Sequence, residues 1–261
     1  GDARDDYDRA LKLDPALTEA YVQRGELREA TGDRDGAIED YTRALDTGTA
    51  PVRAYFKRAT AKQARGDAAG ARADREAGFK LTPTDELSWV ARAENRWTAD
   101  PKGALEDVDA ALKVNPWSVF ALQLKAAILS EGLKRAGDAI TVLNRAVELY
   151  PDYVPARAGR GVLLARAGKR DEAHRDAKEA LRRDTRPPNL YQVGCIYALT
   201  SKGNPGDRRF ALRLLWDGLK SGFALDIVDT DADLDVLRGT QEFQAIVKDA
   251  KALNAPRPVK R

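Results

Sequence analysis

The sequence predicts an all-α fold, a solenoid of stacked helical hairpins, and three observations predict it. Within residues 21–46, YVQRGELREATGDRDGAIEDYTRALD, apolar and small residues fall at Tyr21, Gly25 and Leu27 and then at Ala37, Ile38, Tyr41, Ala44 and Leu45. Steps of mostly three and four are the spacing of two amphipathic helices. The stretch then recurs: the alanine that opens the second helix returns as Ala3, Ala37, Ala71, Ala104, Ala139, Ala173 and Ala211, in steps of 34, 34, 33, 35, 34 and 38. Finally, other columns keep the same phase. One reads Gly25, Ala59, Ala93, Ala126, Gly161 and Gly194, a second reads Ala10, Ala44, Gly78, Ala111, Ala146, Ala180 and Gly218, and prolines close four units at Pro15, Pro83, Pro116 and Pro151.

Residues 1–15 match the second helix and closing proline of a hairpin whose first helix is missing, which leaves an apolar stripe at Tyr7, Ala10 and Leu11 partly unpartnered. Two readings stay open: the array continues upstream, or the edge is shielded by another chain or by self-association. Five complete hairpins follow at about 16–49, 50–83, 84–116, 117–151 and 152–185. In the first, Thr31-Gly32-Asp33 supplies a glycine able to take the left-handed conformation and an aspartate that caps the next helix. The third is one residue short around Asp100 to Lys102, and the fourth is one longer around Gly132 to Gly137, both expected as loop adjustments. A sixth hairpin, 186–222, starts at Pro187 and has a long, breaker-rich turn. From 223 to 261 the period ends. A short helix near Asp231 to Leu237 and a longer one capped by Thr240, with Phe243, Ile246, Val247 and Ala250 on one face, would cover the apolar side of the last repeat.

A hairpin of 34 residues with small residues at the helix crossing, an aromatic near its start and a closing proline resembles the tetratricopeptide repeat. Y-x-x-R-G from Tyr21, W-x-x-R-A from Trp89, and the repeat ends ALKLDP, ALKVNP and AVELYP carry the resemblance, which covers residues 1 to 222. It implies a right-handed superhelical α-solenoid with a C-terminal capping helix, working as a non-catalytic scaffold for protein or peptide partners. Tyr191, Cys195, Tyr197, Phe223, Asp226, Asp231, Leu234, Leu237, Arg238 and Phe243 are similar to the terminal segment of tetratricopeptide regions in large bacterial proteins, some with a Ser/Thr kinase domain upstream. Kinase motifs are absent from these residues.

Composition excludes several classes. Lysines and arginines number 44 against 41 acids, well mixed, which is a solvated helical surface and not a nucleic-acid footprint. No apolar run approaches the ~18 residues of a membrane helix. One cysteine and no secretory signal read as a cytoplasmic protein. A single His and a single Cys leave no metal site of the usual nitrogen and sulfur type, and no cofactor is expected. His174, among Arg170, Asp171, Glu172 and Arg175, reads as a solvated surface residue and not a catalytic base, and Cys195 as packed in or beside the core. The chain is not read as an enzyme.

The resemblance places the binding surface on the first helix of each hairpin. The residues it selects include Glu26, Arg53, Phe56, Thr60, Glu94, Trp97, Phe120 and Gln123. The early groove is acidic through Glu19, Glu26 and Glu29, while Phe56, Trp97 and Phe120 could anchor a peptide or partner helix, with packing between repeats as the other reading for Phe56 and Phe120. A chaperone-type carboxylate clamp would occupy Val22, Glu26, Lys57, Leu87 and Ala91, where only Lys57 could serve. Single-stranded RNA binding is the alternative class, opposed by the groove glutamates.

A last column is charged. Arg24, Arg58, Arg92 and Arg160 stand just before the small residue of their first helices, and about sixteen places later come Asp40, Asp74, Asp107 and Asp176. Antiparallel helices would bring each pair together, since a cation at a helix crossing requires a counterion.

Overall fold

The hairpins begin and end on local chemistry that the sequence carries. The computed structural model describes residues 3–255 and, among them, fifteen α-helices. They are α1 Ala3–Leu13, α2 Thr18–Ala30, α3 Arg34–Asp46, α4 Arg53–Ala64, α5 Ala68–Phe79, α6 Glu86–Arg96, α7 Pro101–Val114, α8 Val119–Ala127, α9 Ala136–Leu149, α10 Val154–Arg166, α11 Arg170–Arg183, α12 Pro187–Thr200, α13 Pro205–Leu219, α14 Asp235–Arg238 and α15 Gln241–Leu253. Consecutive helices pack as pairs, α2 with α3, α4 with α5, α6 with α7, α10 with α11 and α12 with α13. Gly32 and Gly66 sit between paired helices at φ 86° and 92°, a left-handed backbone that side chains resist. The aspartates that follow cap α3 and α5: Asp33 accepts from the Gly36 N–H at 3.0 Å and Asp67 from the Gly70 N–H at 2.9 Å.

The chain divides into two compact units, one ending at Leu133 and the other starting at Lys134. In the first, the small columns lie at the helix crossings: Ala37, Ala59, Ala71, Ala93 and Ala104 are fully buried. Gly25 shows why the column is small, because a Cβ there would stand 2.6 Å from a ring carbon of Tyr41. The extra residue of the fourth repeat is not a loop adjustment. It appears as a π-helical turn, Ile128–Gly132, in which the Leu133 N–H donates to the Ile128 carbonyl at 2.9 Å, so the helix itself absorbs the insertion.

Charged pairs tie the hairpins across their crossings. Arg24 donates to Asp40 through Nε at 2.9 Å and Nη2 at 2.5 Å, Arg58 to Asp74 at 2.8 and 2.6 Å, and Arg160 to Asp176 at 2.7 and 2.6 Å. Arg92 stands 3.4 Å from Asp107 and makes no such fork. The shortened third repeat explains the difference: its partners are 15 residues apart where the others are 16, so Arg92 falls short and Arg96 donates to Asp107 at 3.2 Å instead. Each buried aspartate also meets a second cation, Arg28 at 2.9 Å from Asp40, Lys62 at 2.9 Å from Asp74 and Arg157 at 3.4 Å from Asp176. The column reaches backwards too. Arg24 donates to Asp8 at 2.6 Å, Arg58 to Thr42 at 3.1 Å and Arg160 to Asn144 at 3.0 Å, while Lys125 pairs with Asp109 at 2.7 Å. Every one of those four partners lies sixteen residues earlier, on the second helix of the preceding hairpin.

In the second unit one core runs from α10 to α15. Phe243, Val247 and Ala250 of α15 are buried with Tyr191, Leu215 and Leu219, and Ile246 packs half-buried against them, as the capping role requires. Thr240 caps α15 by accepting from the Phe243 N–H at 3.3 Å. Asp233, beside α14, accepts a fork from Arg166 at 2.7 and 3.0 Å. Cys195 is buried, and that burial pushes its thiol pKa well up, away from the reactive thiolate. His174 overturns the surface reading. It is 8% exposed, its Nε2 lies 2.8 Å from the Thr200 hydroxyl and 3.6 Å from Asp207, and its ring centroid is 4.4 Å from that of Tyr197. These neighbours come from the next hairpin, and they shut out water.

Candidate functional site

A concavity of about 350 Å³ opens in the first unit across three successive first helices. It is lined by Glu26, Glu29 and Ala30 of α2, Phe56, Lys57 and Thr60 of α4, and Ala91, Glu94 and Asn95 of α6. Repetition builds it: Glu26, Thr60 and Glu94 occupy one column at steps of 34, so three helices in the same orientation present the same position to one space. The column beneath, Val22, Phe56 and Val90, is buried and forms the floor. Phe56 is only 1% exposed, with its ring 5.1 Å from that of Phe79. Gly78 makes room for it, since a Cβ there would come within 2.9 Å of the Phe56 ring.

Three carboxylates and one ammonium line the space, a net charge of −2. Lys57 pairs with Glu26 at 3.4 Å. Glu29 accepts from the Tyr41 hydroxyl at 3.0 Å, and burial together with that carboxylate pushes the tyrosine's pKa up. Glu94 makes no hydrogen bond and no ion pair with the described residues. Its side chain keeps exposed area, yet the walls of the concavity withdraw enough water to raise its pKa above the usual carboxylate value, with Lys57 opposing. Asn95 is held by its neighbours, donating to the Ala91 carbonyl at 2.9 Å and accepting from Arg75 at 3.2 Å.

Of the residues singled out in the sequence, Glu26, Phe56, Thr60 and Glu94 meet here, Phe56 as floor. The other four do not. Arg53 is buried and tied to Glu19 and, at 3.6 Å, to Asp85, with its backbone N–H on the Ser88 hydroxyl. Trp97 packs against the core around Val90, Ala93 and Val108. Phe120 is 63% exposed on α8, and Gln123 lies one turn along the same helix. The sequence marks Lys57 and Ala91 only as clamp positions and does not mark Asn95, which stands one residue from a column already chosen. Among the clamp positions, Val22 and Ala91 are buried, which leaves no ring of donors for a terminal carboxylate.

No helix among the described residues is long and apolar enough to cross a membrane, and no group of three His, Cys, Asp or Glu among them could hold a metal ion. The family model for the tetratricopeptide repeat matches residues 18–47, the pair α2 and α3 that carries the first wall of the concavity. That match spans one hairpin of the array. Solved structures agree on the fold. A tetratricopeptide repeat protein from Parabacteroides merdae is 18% identical over 96% of this chain and 90% of its own, with a TM-score of 0.59. Pseudomonas aeruginosa pilF is 14% identical over 95% and 99%, at 0.61. Human IFIT1, solved as a dimer with m7Gppp-AAAA, is 15% identical over 96% of this chain and 66% of its own, at 0.59. No curated protein matches.

Proposed function

We propose that this protein, a solenoid of tetratricopeptide-like hairpins, is a non-catalytic interaction scaffold that takes an extended peptide, or the face of a partner helix, in the concavity between α2, α4 and α6. The observation that carries the reading is the convergence of three rungs of one column, Glu26, Thr60 and Glu94, over an apolar floor at Phe56. Such a space offers alternating polar and apolar contacts to a chain laid along it, and its walls are held by the Arg–Asp pairs, so little ordering cost falls on binding. Catalysis has no support here: the one histidine is buried with its pKa pushed down by that burial, and the one thiol is shut in the core. Single-stranded RNA, the alternative, would meet a net charge of −2 at this concavity, which repels phosphate. A place within a larger protein, including one with a Ser/Thr kinase domain, rests on the resemblance of the C-terminal segment alone.

Peptide display on the whole chain, with wild type and Thr60→Trp panned in parallel, tests the proposal. An indole at position 60 fills the space from an exposed position and leaves the floor alone. Selection of peptides that bind wild type and lose binding to Thr60→Trp, at an unchanged circular dichroism melt, is the expected result. Peptides that bind both proteins equally, or single-stranded RNA that binds with a steep salt dependence, would contradict it.

A further inference from the structure

Resting on that reading, we propose that the α2–α4–α6 concavity selects an arginine side chain of its peptide ligand, and that Lys57 occupies the arginine's place when the site is free. Charge complementarity is the first argument. The lining holds Glu26, Glu29 and Glu94 against Lys57 alone, so the free site is short of positive charge. The state of Glu94 within that set is the second argument. Glu26 is paired and Glu29 is hydrogen-bonded, but the Glu94 carboxylate faces the concavity with no partner among the described residues and with part of its water removed. Glu94 keeps exposed area, so a cation can reach it, and its carboxylate gains a charge-assisted hydrogen bond when one arrives. The 3.4 Å pair between Lys57 and Glu26 shows that an amine can stand between α2 and α4, within the field of both walls.

Arginine fits better than lysine for two reasons of geometry. Its planar fork can bridge carboxylates that come from different helices, where an ammonium presents a point charge. Its flat face also suits the small-residue walls at Ala30 and Ala91. Binding would swing Lys57 off Glu26 into solvent, an easy motion for a side chain already about a third exposed. Lys57 thus competes with the ligand: a peptide without a cation gains nothing from Glu26, which keeps its own lysine.

The test uses the full chain and two fluorescein-labelled nonapeptide libraries, alike except for a fixed central arginine or norleucine, read by anisotropy at low and moderate salt. Wild type should bind the arginine library about tenfold more tightly, and the gap should narrow as salt rises. Glu94→Gln should lose most of the gap with no fall in melting temperature, since Glu94 has no hydrogen bond or ion pair among the described residues to lose. Lys57→Ala should strengthen arginine binding several-fold. Equal binding of both libraries, or a Glu94→Gln protein that keeps the full gap, would overturn the arginine selectivity while leaving the groove reading in place. Failure of wild type and Lys57→Ala to bind either library would overturn both.

Discussion

Replacing Asp40 by asparagine removes the carboxylate to which Arg24 donates twice, at 2.9 and 2.5 Å, and beside which Arg28 stands at 2.9 Å. Asp40 is fully buried and the two arginine side chains are 12% and 15% exposed, so neither cation reaches water freely once its anion is gone. Breaking one partner of a buried pair costs about 3 to 5 kcal/mol. Arg24 keeps Asp8 at 2.6 Å and Arg28 keeps the Gly36 carbonyl at 2.9 Å, which places the expected loss at the lower end, about 3 kcal/mol. Asp107→Asn is the matched comparison. Burial raises the pKa of Asp107 above the usual carboxylate value, with Arg92 and Arg96 opposing, so the folded state already disfavours its charge. Its cations also have other partners: Arg96 pairs with Asp100, and Arg92 lies over the Trp89 ring and donates to the Leu81 carbonyl at 3.1 Å. The expected loss is about 1 kcal/mol or less, the scale of a pair with little net value. Urea unfolding by far-ultraviolet circular dichroism gives the totals, and native-state hydrogen exchange in α3 and α7 gives the local values that a repeat protein requires. An Asp107→Asn protein destabilised as much as Asp40→Asn would refute the reasoning.

Three further outcomes follow from the packing. Gly25→Ala gains up to about 1 kcal/mol of helix propensity but drives a Cβ to 2.6 Å from Tyr41, so a net loss of about 1 to 2 kcal/mol is expected in the same unfolding assay, and a stabilised variant would show that the ring has room. Phe243→Ala should cost about 3 kcal/mol and raise dye binding by exposed apolar surface in the second unit, whereas an unchanged melt would mean that α15 does not cap that core. His174 has its pKa pushed below its ordinary value by burial, with Asp207 opposing and Arg170 and Lys178 reinforcing. Between about pH 7 and 5.5 the unfolded chain takes up the proton and the folded chain resists it, so stability falls as pH falls, and His174→Gln should flatten that slope in melting temperature.

Much of the fold was legible because small residues at a helix crossing are a steric requirement that repeats with the hairpin. Ala37, Ala71 and Ala104 announce the architecture before any propensity is weighed. The Arg–Asp pairs were legible for the same reason, since antiparallel helices of fixed length turn contact into a constant separation. Their backward partners were not read, because Asp8, Thr42, Asp109 and Asn144 differ in type and look like a solvated helix face. His174 was misread because a local window shows only Arg170 to Arg175, while Tyr197 and Thr200 bury it from some 23 to 26 residues away. At the concavity, the column Glu26, Thr60 and Glu94 came from the resemblance and lines one space, whereas Trp97 lies past the last turn of α6 and packs against the core.

Photocross-linking tests the central claim most directly. A nonapeptide with a central arginine and a diazirine on the adjacent residue, irradiated with the whole chain, labels what lies within reach of the bound side chain. Adducts mapped by mass spectrometry should fall on residues 18–30, 53–64 and 86–96, the helices α2, α4 and α6, and should disappear with Thr60→Trp. Adducts concentrated on α8 around Phe120, or in the second unit beyond Lys134, would contradict the assignment of the binding surface.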